Sequence, residues 1–163
     1  MNQPHLYSFD PRSFRDALGD FATGIAVVTA RGADGQPVGV TINSFTSVSL
    51  EPPLVLWNLG LHSPSLATFE ACSHYAVNVL AADQAGFSQR FAQSQADKFA
   101  GIEFKVGAGD APLLPGCCAW FECRNEMRYP GGDHLIFVGH VEGFRREQKP
   151  PLIFHGGRYR SLA

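Results

Sequence analysis

No stretch of this sequence approaches the roughly 20 consecutive apolar residues that a membrane-spanning helix needs, so none is expected. Excess positive charge is also missing. Thirteen Lys and Arg stand against 15 Asp and Glu, a formal net charge of -2, and binding a phosphate backbone needs a clustered basic excess. The two small basic groups, Arg145 and Arg146 with Lys149 and Arg158 with Arg160, read as solvated surface. The first ten residues have neither the basic start nor the apolar run of a secretory leader, which sets the cytoplasm as the expected location. Cys72, Cys117, Cys118 and Cys123 lack Cys-x-x-Cys spacing, and no histidine pair sits at helical ligand spacing, which argues against zinc. Reduced, mostly buried thiols fit the cytoplasm. There is no Gly-x-Ser-x-Gly elbow, and Cys117 and Cys118 follow a Pro-Gly turn rather than a helix start, so a hydrolytic nucleophile is unsupported. The Gly-x-Gly-x-x-Gly turn of a dinucleotide-binding βαβ unit is absent too, so a nicotinamide would have to bind by other means.

What the chain does have is apolar material for one core: 163 residues, 45% hydrophobic and 17% charged. Asp10 followed by Pro11 predicts a helix start, and Phe14, Ala17, Leu18 and Phe21 at helical spacing predict a buried face. Residues 25–31 read as a strand, 33–35 as a hairpin turn and 38–50 as one long return strand ended by Pro52 and Pro53. A short buried strand follows at 54–59. Ser63 and Pro64 predict a second helix to about Cys72, and residues 75–80 a strand. Asp83 is the expected cap of a third helix, and 98–115 a long loop with one short strand. Two β runs, 120–129 and 135–144, flank a tight turn, and 152–159 forms a last strand. Short strands with hairpin-length connections point to an antiparallel barrel rather than a doubly wound sheet.

The most informative segment is 41–49. With period 2, Thr41, Asn43, Phe45 and Ser47 share one face and Ile42, Ser44, Thr46 and Val48 the other, and neither face is apolar. Hydroxyls and an amide beside an aromatic ring suit a flat ligand with a polar tail; a polar edge strand bonding to itself accounts for them equally. Ser63 and Ser65 at a helix start suit a phosphate or a simple cap. Arg90 near a helix end suits bidentate phosphate binding or a surface ion pair. His134, at a hairpin tip, suits ligand holding or proton transfer near neutral pH, or is a surface histidine.

Taken in order, several segments resemble the short-chain flavin reductases of the FMN-binding split-barrel superfamily. They are Phe21-Ala22-Thr23-Gly24, 39–55 with its Asn43-Ser44-Phe45-Thr46-Ser47 centre, Ser63-Pro64-Ser65-Leu66, Arg90-Phe91-Ala92, Gly132-Asp133-His134 and 151–159. The resemblance covers 14–162. It implies a single mainly β domain with short helices, an antiparallel Greek-key split barrel, and a homodimer with flavin near the interface. It implies that Thr41, Asn43, Ser44, Phe45, Thr46 and Ser47 line the flavin ring. Asn58, Ser63, Ser65, Arg90 and Phe91 would hold the ribityl chain and phosphate, and His134 and Tyr159 the nicotinamide side, His134 in the catalytic role. The implied flavin is FMN or FAD, and the implied reductant NADH or NADPH. A separate monooxygenase is the implied recipient, and a flavin-binding electron carrier the alternative. Ile42 stands where the family often has Ala, and would narrow the ring pocket.

Overall fold

A computed structural model describes residues 9–94 and 97–162. The N-terminal stretch read against a leader lies outside that range apart from residues 9 and 10. In chain order the elements are α1 (Pro11–Gly19), β1 (Thr23–Gly24), β2 (Ala26–Arg31), β3 (Pro37–Ile42), β4 (Thr46–Leu50), β5 (Pro53–Gly60), α2 (Leu66–Ala71) and β6 (His74–Val79). They continue with α3 (Ala85–Ala92), β7 (Lys105–Val106), a 3-10 turn (Ala108–Asp110), β8 (Pro112–Leu113), β9 (Ala119–Gly131), β10 (His134–Arg146), β11 (Ile153–His155) and β12 (Arg158–Arg160).

The main sheet is antiparallel throughout, in the order β3-β2-β6-β9-β10-β5-β4. Laid flat, seven strands at about 4.8 Å spacing would separate β3 from β4 by roughly 29 Å. Only residues 43–45 join them, and four Cα steps reach at most about 14 Å. The sheet therefore curls until its two edges come close, without pairing. Its interior holds Val28, Val55, Trp57, Phe69, Tyr75, Val77, Cys123 and Phe137. Trp57 stacks on Phe137 (centroids 4.5 Å, 11°) and meets Phe69 and Tyr75 edge-on. A second core lies outside the curl, where α3 and residues 97–117 cover Ile25, Val27, Leu80, Phe91, Phe99, Leu114 and Trp120. Because β2 is covered on both faces, its burial runs unbroken from Ala26 to Ala30 rather than alternating. Between β2 and the outer layer, Asn78 donates to the Val27 carbonyl (2.9 Å) and Thr29 Oγ1 (3.0 Å) and accepts from Leu114 N–H (2.8 Å), pinning the segment around β8.

Several expectations change. The long return strand is two strands, β3 and β4, bonded to different partners, so the two-face pattern drawn across 41–49 fails at 43–45. Asp10 caps α1 by accepting from Ser13 N–H (2.8 Å), but the apolar stripe faces outward: Phe14, Leu18 and Phe21 are 49%, 60% and 80% exposed. No other described element covers that stripe. The second helix begins only at Leu66, because residues 63–65 form a turn first. Gln84, not Asp83, is the N-cap residue of α3. The 98–115 segment carries two paired short strands, and 152–159 folds as the β11–β12 hairpin, since Gly156 and Gly157 at positive φ reverse it.

Candidate functional site

The break between β3 and β4 is the centre of the site. Neither neighbouring ladder pairs residues 43–45, and Asn43, the first of them, lines a cleft of about 250 Å³. Thr41, Asn43 and Ser88 line it with Ile25 beneath and Phe154 and Tyr159 opposite. Thr41 Oγ1 donates to the Ser88 carbonyl (2.7 Å), and the Tyr159 hydroxyl donates to Ser88 Oγ (2.9 Å). Ser88, on α3, thus touches both walls. It was not among the residues picked out from sequence, where a helical serine carries no signal. The cleft has an apolar floor, an aromatic wall and a polar rim.

Other members of the polar segment have structural partners. Ser44 Oγ accepts from Asn58 N–H (3.1 Å), fastening the crossing onto β5. Phe45 leans against Phe121 (5.3 Å). Thr46 and Ser47 open β4 at the exposed sheet edge. Ile42 is buried among the interior residues beside Ala26, its partner in register. It packs the core and also contributes to the lining of the ring-sized cleft, where the sequence placed it.

A second, larger cleft of about 510 Å³ is lined by Gln36, Gly39, Ser65, Ser94, Asp97 and Lys98. The two clefts lie along the same strand and the end of α3: Thr41 and Ala92 line the first, Gly39 and Ser94 the second. Lys98 donates from Nζ to the Gly39 (3.2 Å) and Phe91 (2.9 Å) carbonyls, and burial pushes its pKa down. Sequence reasoning missed this cation, since nothing in Asp97-Lys98-Phe99 separates it from a surface lysine. Ser65 lines the cleft, and Ser63 Oγ accepts from its N–H (3.3 Å). Arg90 donates to the Ala100 carbonyl. The Phe91 ring lies wholly in the outer core against Phe99 (5.0 Å). Its side chain is unavailable to a ligand, and an added Cβ on Gly39 would come within 2.7 Å of it.

His134 stands apart from both clefts. It opens β10 opposite Gly60, on the outer sheet face that also carries Asn58 opposite Ile136. Its Nδ1 lies 2.7 Å from Asp133 Oδ1, and that hydrogen bond holds the Asp133 carboxyl below its usual range. The cysteines offer no nucleophile: burial pushes the Cys117 and Cys123 thiols up to about 12. Of the sequence-predicted residues, Thr41, Asn43 and Tyr159 line the ring-sized cleft and Ser65 the polar one, Asn58 and His134 lie on the outer face, and Ser44, Phe45, Thr46, Ser47, Ser63, Arg90 and Phe91 line neither cleft.

Residues 18–163 match the model of the flavin reductase like domain. The chain is 43% identical to "FMN reductase (NADH) SmoA" of Agrobacterium fabrum, over 98% of this chain and 93% of that protein. It is 40% identical to the "Flavin-dependent trigonelline monooxygenase, reductase component" of Acinetobacter baylyi, over 91% of this chain and 48% of that one. It thus spans about half the length of some relatives that it matches. The solved structure of Streptomyces globisporus NADH:FAD oxidoreductase SgcE6, in complex with NAD and FAD fragments, superposes with a TM-score of 0.90 at 40% identity, covering 96% of this chain and 97% of that one. With the match spanning nearly the whole sequence, the chain belongs to the flavin reductase like domain family.

Proposed function

We propose that this chain is an NAD(P)H-dependent flavin reductase that hands reduced flavin to a separate monooxygenase. The observation that carries the reading is the ring-sized cleft at the end of β3, with the polar cleft holding Lys98 further back along the same strand. The residues present fit a flavin. The cleft's volume lies just under the roughly 300–1,000 Å³ of a drug-sized site, suiting a flat ring whose tail leaves along one wall. Ile25 and Phe154 offer apolar contact, and Thr41 and Asn43 offer polar groups to a ring edge. Lys98 and Ser65 are the groups placed to hold an anionic tail.

When bound, the flavin would accept a hydride from the nicotinamide, so the cofactors supply the bond-making chemistry. The chain's task is to hold two flat rings in contact and exclude water. His134, oriented through Nδ1 by Asp133, serves the nicotinamide side with Tyr159. We place two copies together as a split-barrel homodimer, because the outward Phe14, Leu18 and Phe21 stripe and the exposed Leu50 form apolar surface that a lone chain leaves wet. Because His134 stands apart from both clefts of its own chain, its nicotinamide role requires a second copy to bring the two together. The described cysteines are free, consistent with work in the cytoplasm.

The test is NADH or NADPH oxidation under excess FMN or FAD. Turnover well beyond one equivalent of reductant per protein is expected. A halt after about one equivalent would establish an electron carrier instead, and no oxidation with either flavin would end the reading.

A further inference from the structure

The last strand is the most weakly attached wall of the cleft. β12 pairs only with β11, across a turn in which Gly156 and Gly157 take φ of +57° and +72°. β11 meets the body through two residue pairs with β1, and the turn through Gly156 N–H to the Gly19 carbonyl (2.9 Å). Among the described residues, one side-chain hydrogen bond runs from β12 to the rest of the protein, from the Tyr159 hydroxyl to Ser88 Oγ (2.9 Å). The acceptor is immobile: Ser88 is 2% exposed on α3, and its carbonyl is engaged by Thr41. The donor is not. Tyr159 is 36% exposed, and its one ring contact is edge-on with Phe154 (6.0 Å) on its own hairpin. Breaking the hydroxyl bond therefore frees the Tyr159 side of the aromatic wall, while Phe154 stays packed on the outer core.

We propose that Tyr159 is a hinged wall of the ring cleft, latched by Ser88, and that release of this latch sets how fast a flat ligand enters and leaves. The identity of the ligand rests on the flavin reading; the latch does not. Ser88 is a positioning residue, acting through Tyr159 rather than on the ligand. Its two bonds also fix the cleft width, because β3 and β12 are both held to the same residue of α3. Local opening of a segment with so few attachments is the expected low-energy fluctuation of such a fold.

The experiment has two readouts on wild type, Ser88→Ala, Tyr159→Phe and the double variant. Limited trypsin digestion at Arg158 and Arg160 in ligand-free protein reads the latch. Stopped-flow release of FMN, followed by recovery of flavin fluorescence, reads the gate. Each single variant removes the same bond, so each is expected to speed both cleavage and release about 5-fold, the factor supplied by one neutral hydrogen bond. The double variant should go no further, since the single effects are one interaction counted twice. Unchanged cleavage, or effects that multiply in the double variant, would overturn the latch. Faster cleavage with unchanged FMN release would overturn the gate. A wild type that takes up neither FMN nor FAD would retire the flavin reading and the gate with it, while digestion still decides the latch.

Discussion

Lys98 shows how a side chain acquires a role from its surroundings. Its ammonium is held by two carbonyls at the edge of a cleft that also contains Ser65, so it is pre-positioned for an anion. Lys98→Met is expected to weaken FMN about 10- to 100-fold, the range of a charge-assisted hydrogen bond, and to leave riboflavin affinity unchanged in parallel fluorescence titrations. The lowered pKa adds a sign. The protonated form binds phosphate, and burial makes that form lose its proton below the ordinary lysine value of 10.5. FMN affinity should therefore fall with rising alkaline pH earlier than an exposed lysine would allow, with riboflavin as the flat control. His134→Ala is expected to raise KM for NADH with little change in flavin affinity; a collapse of flavin binding would move His134 into the flavin site. Thr41 and Asn43 stood out as polar residues in a short strand-like span and Ser65 as a hydroxyl at a helix start, whereas Tyr159 came from the family resemblance alone. Lys98 and Ser88 were not, since their significance comes from contacts with residues 47 to 71 positions away in sequence or from burial alone.

At the scale of elements, what could be read was existence, and what could not was partnership. Both edges of the β3–β4 break carry strand-forming residues, so no local signal marks the change of partner from β2 to β5. The fault appears only when the sheet curls. Similarly, the stripe on α1 has helical spacing whether or not anything covers it, so periodicity gave the helix and missed its exposure. Close packing of α3 on β3 makes a sharp prediction. Gly39→Ala puts a Cβ 2.7 Å from the buried Phe91 ring. Overpacking of that kind costs about 1–3 kcal/mol, to be seen as a lower midpoint in urea unfolding with little change in slope.

At the scale of the whole molecule, the outward stripe of α1 is the feature that a single chain does not explain. If a second copy covers it, Leu18→Glu should shift sedimentation from dimer to monomer. The circular dichroism should stay that of the wild type, because Leu18 makes no core contact in one chain. A wild type sedimenting as a monomer would refute the dimer. The mainly β class with three short helices was legible from strand length, turn residues and the lack of βαβ alternation, all of which are local. The spatial order of the strands was not, because it depends on long-range pairings such as β6 with β9.

The three-residue crossing at 43–45 has one more consequence. It joins the first and last strands of a seven-strand order, so its shape is set only when every intervening strand is in place. A partly assembled chain would hold these residues as an unconstrained coil with no recess to offer. Ligand uptake at the crossing should thus be an all-or-none reporter of assembly, lost at the same urea concentration as the backbone ellipticity rather than ahead of it.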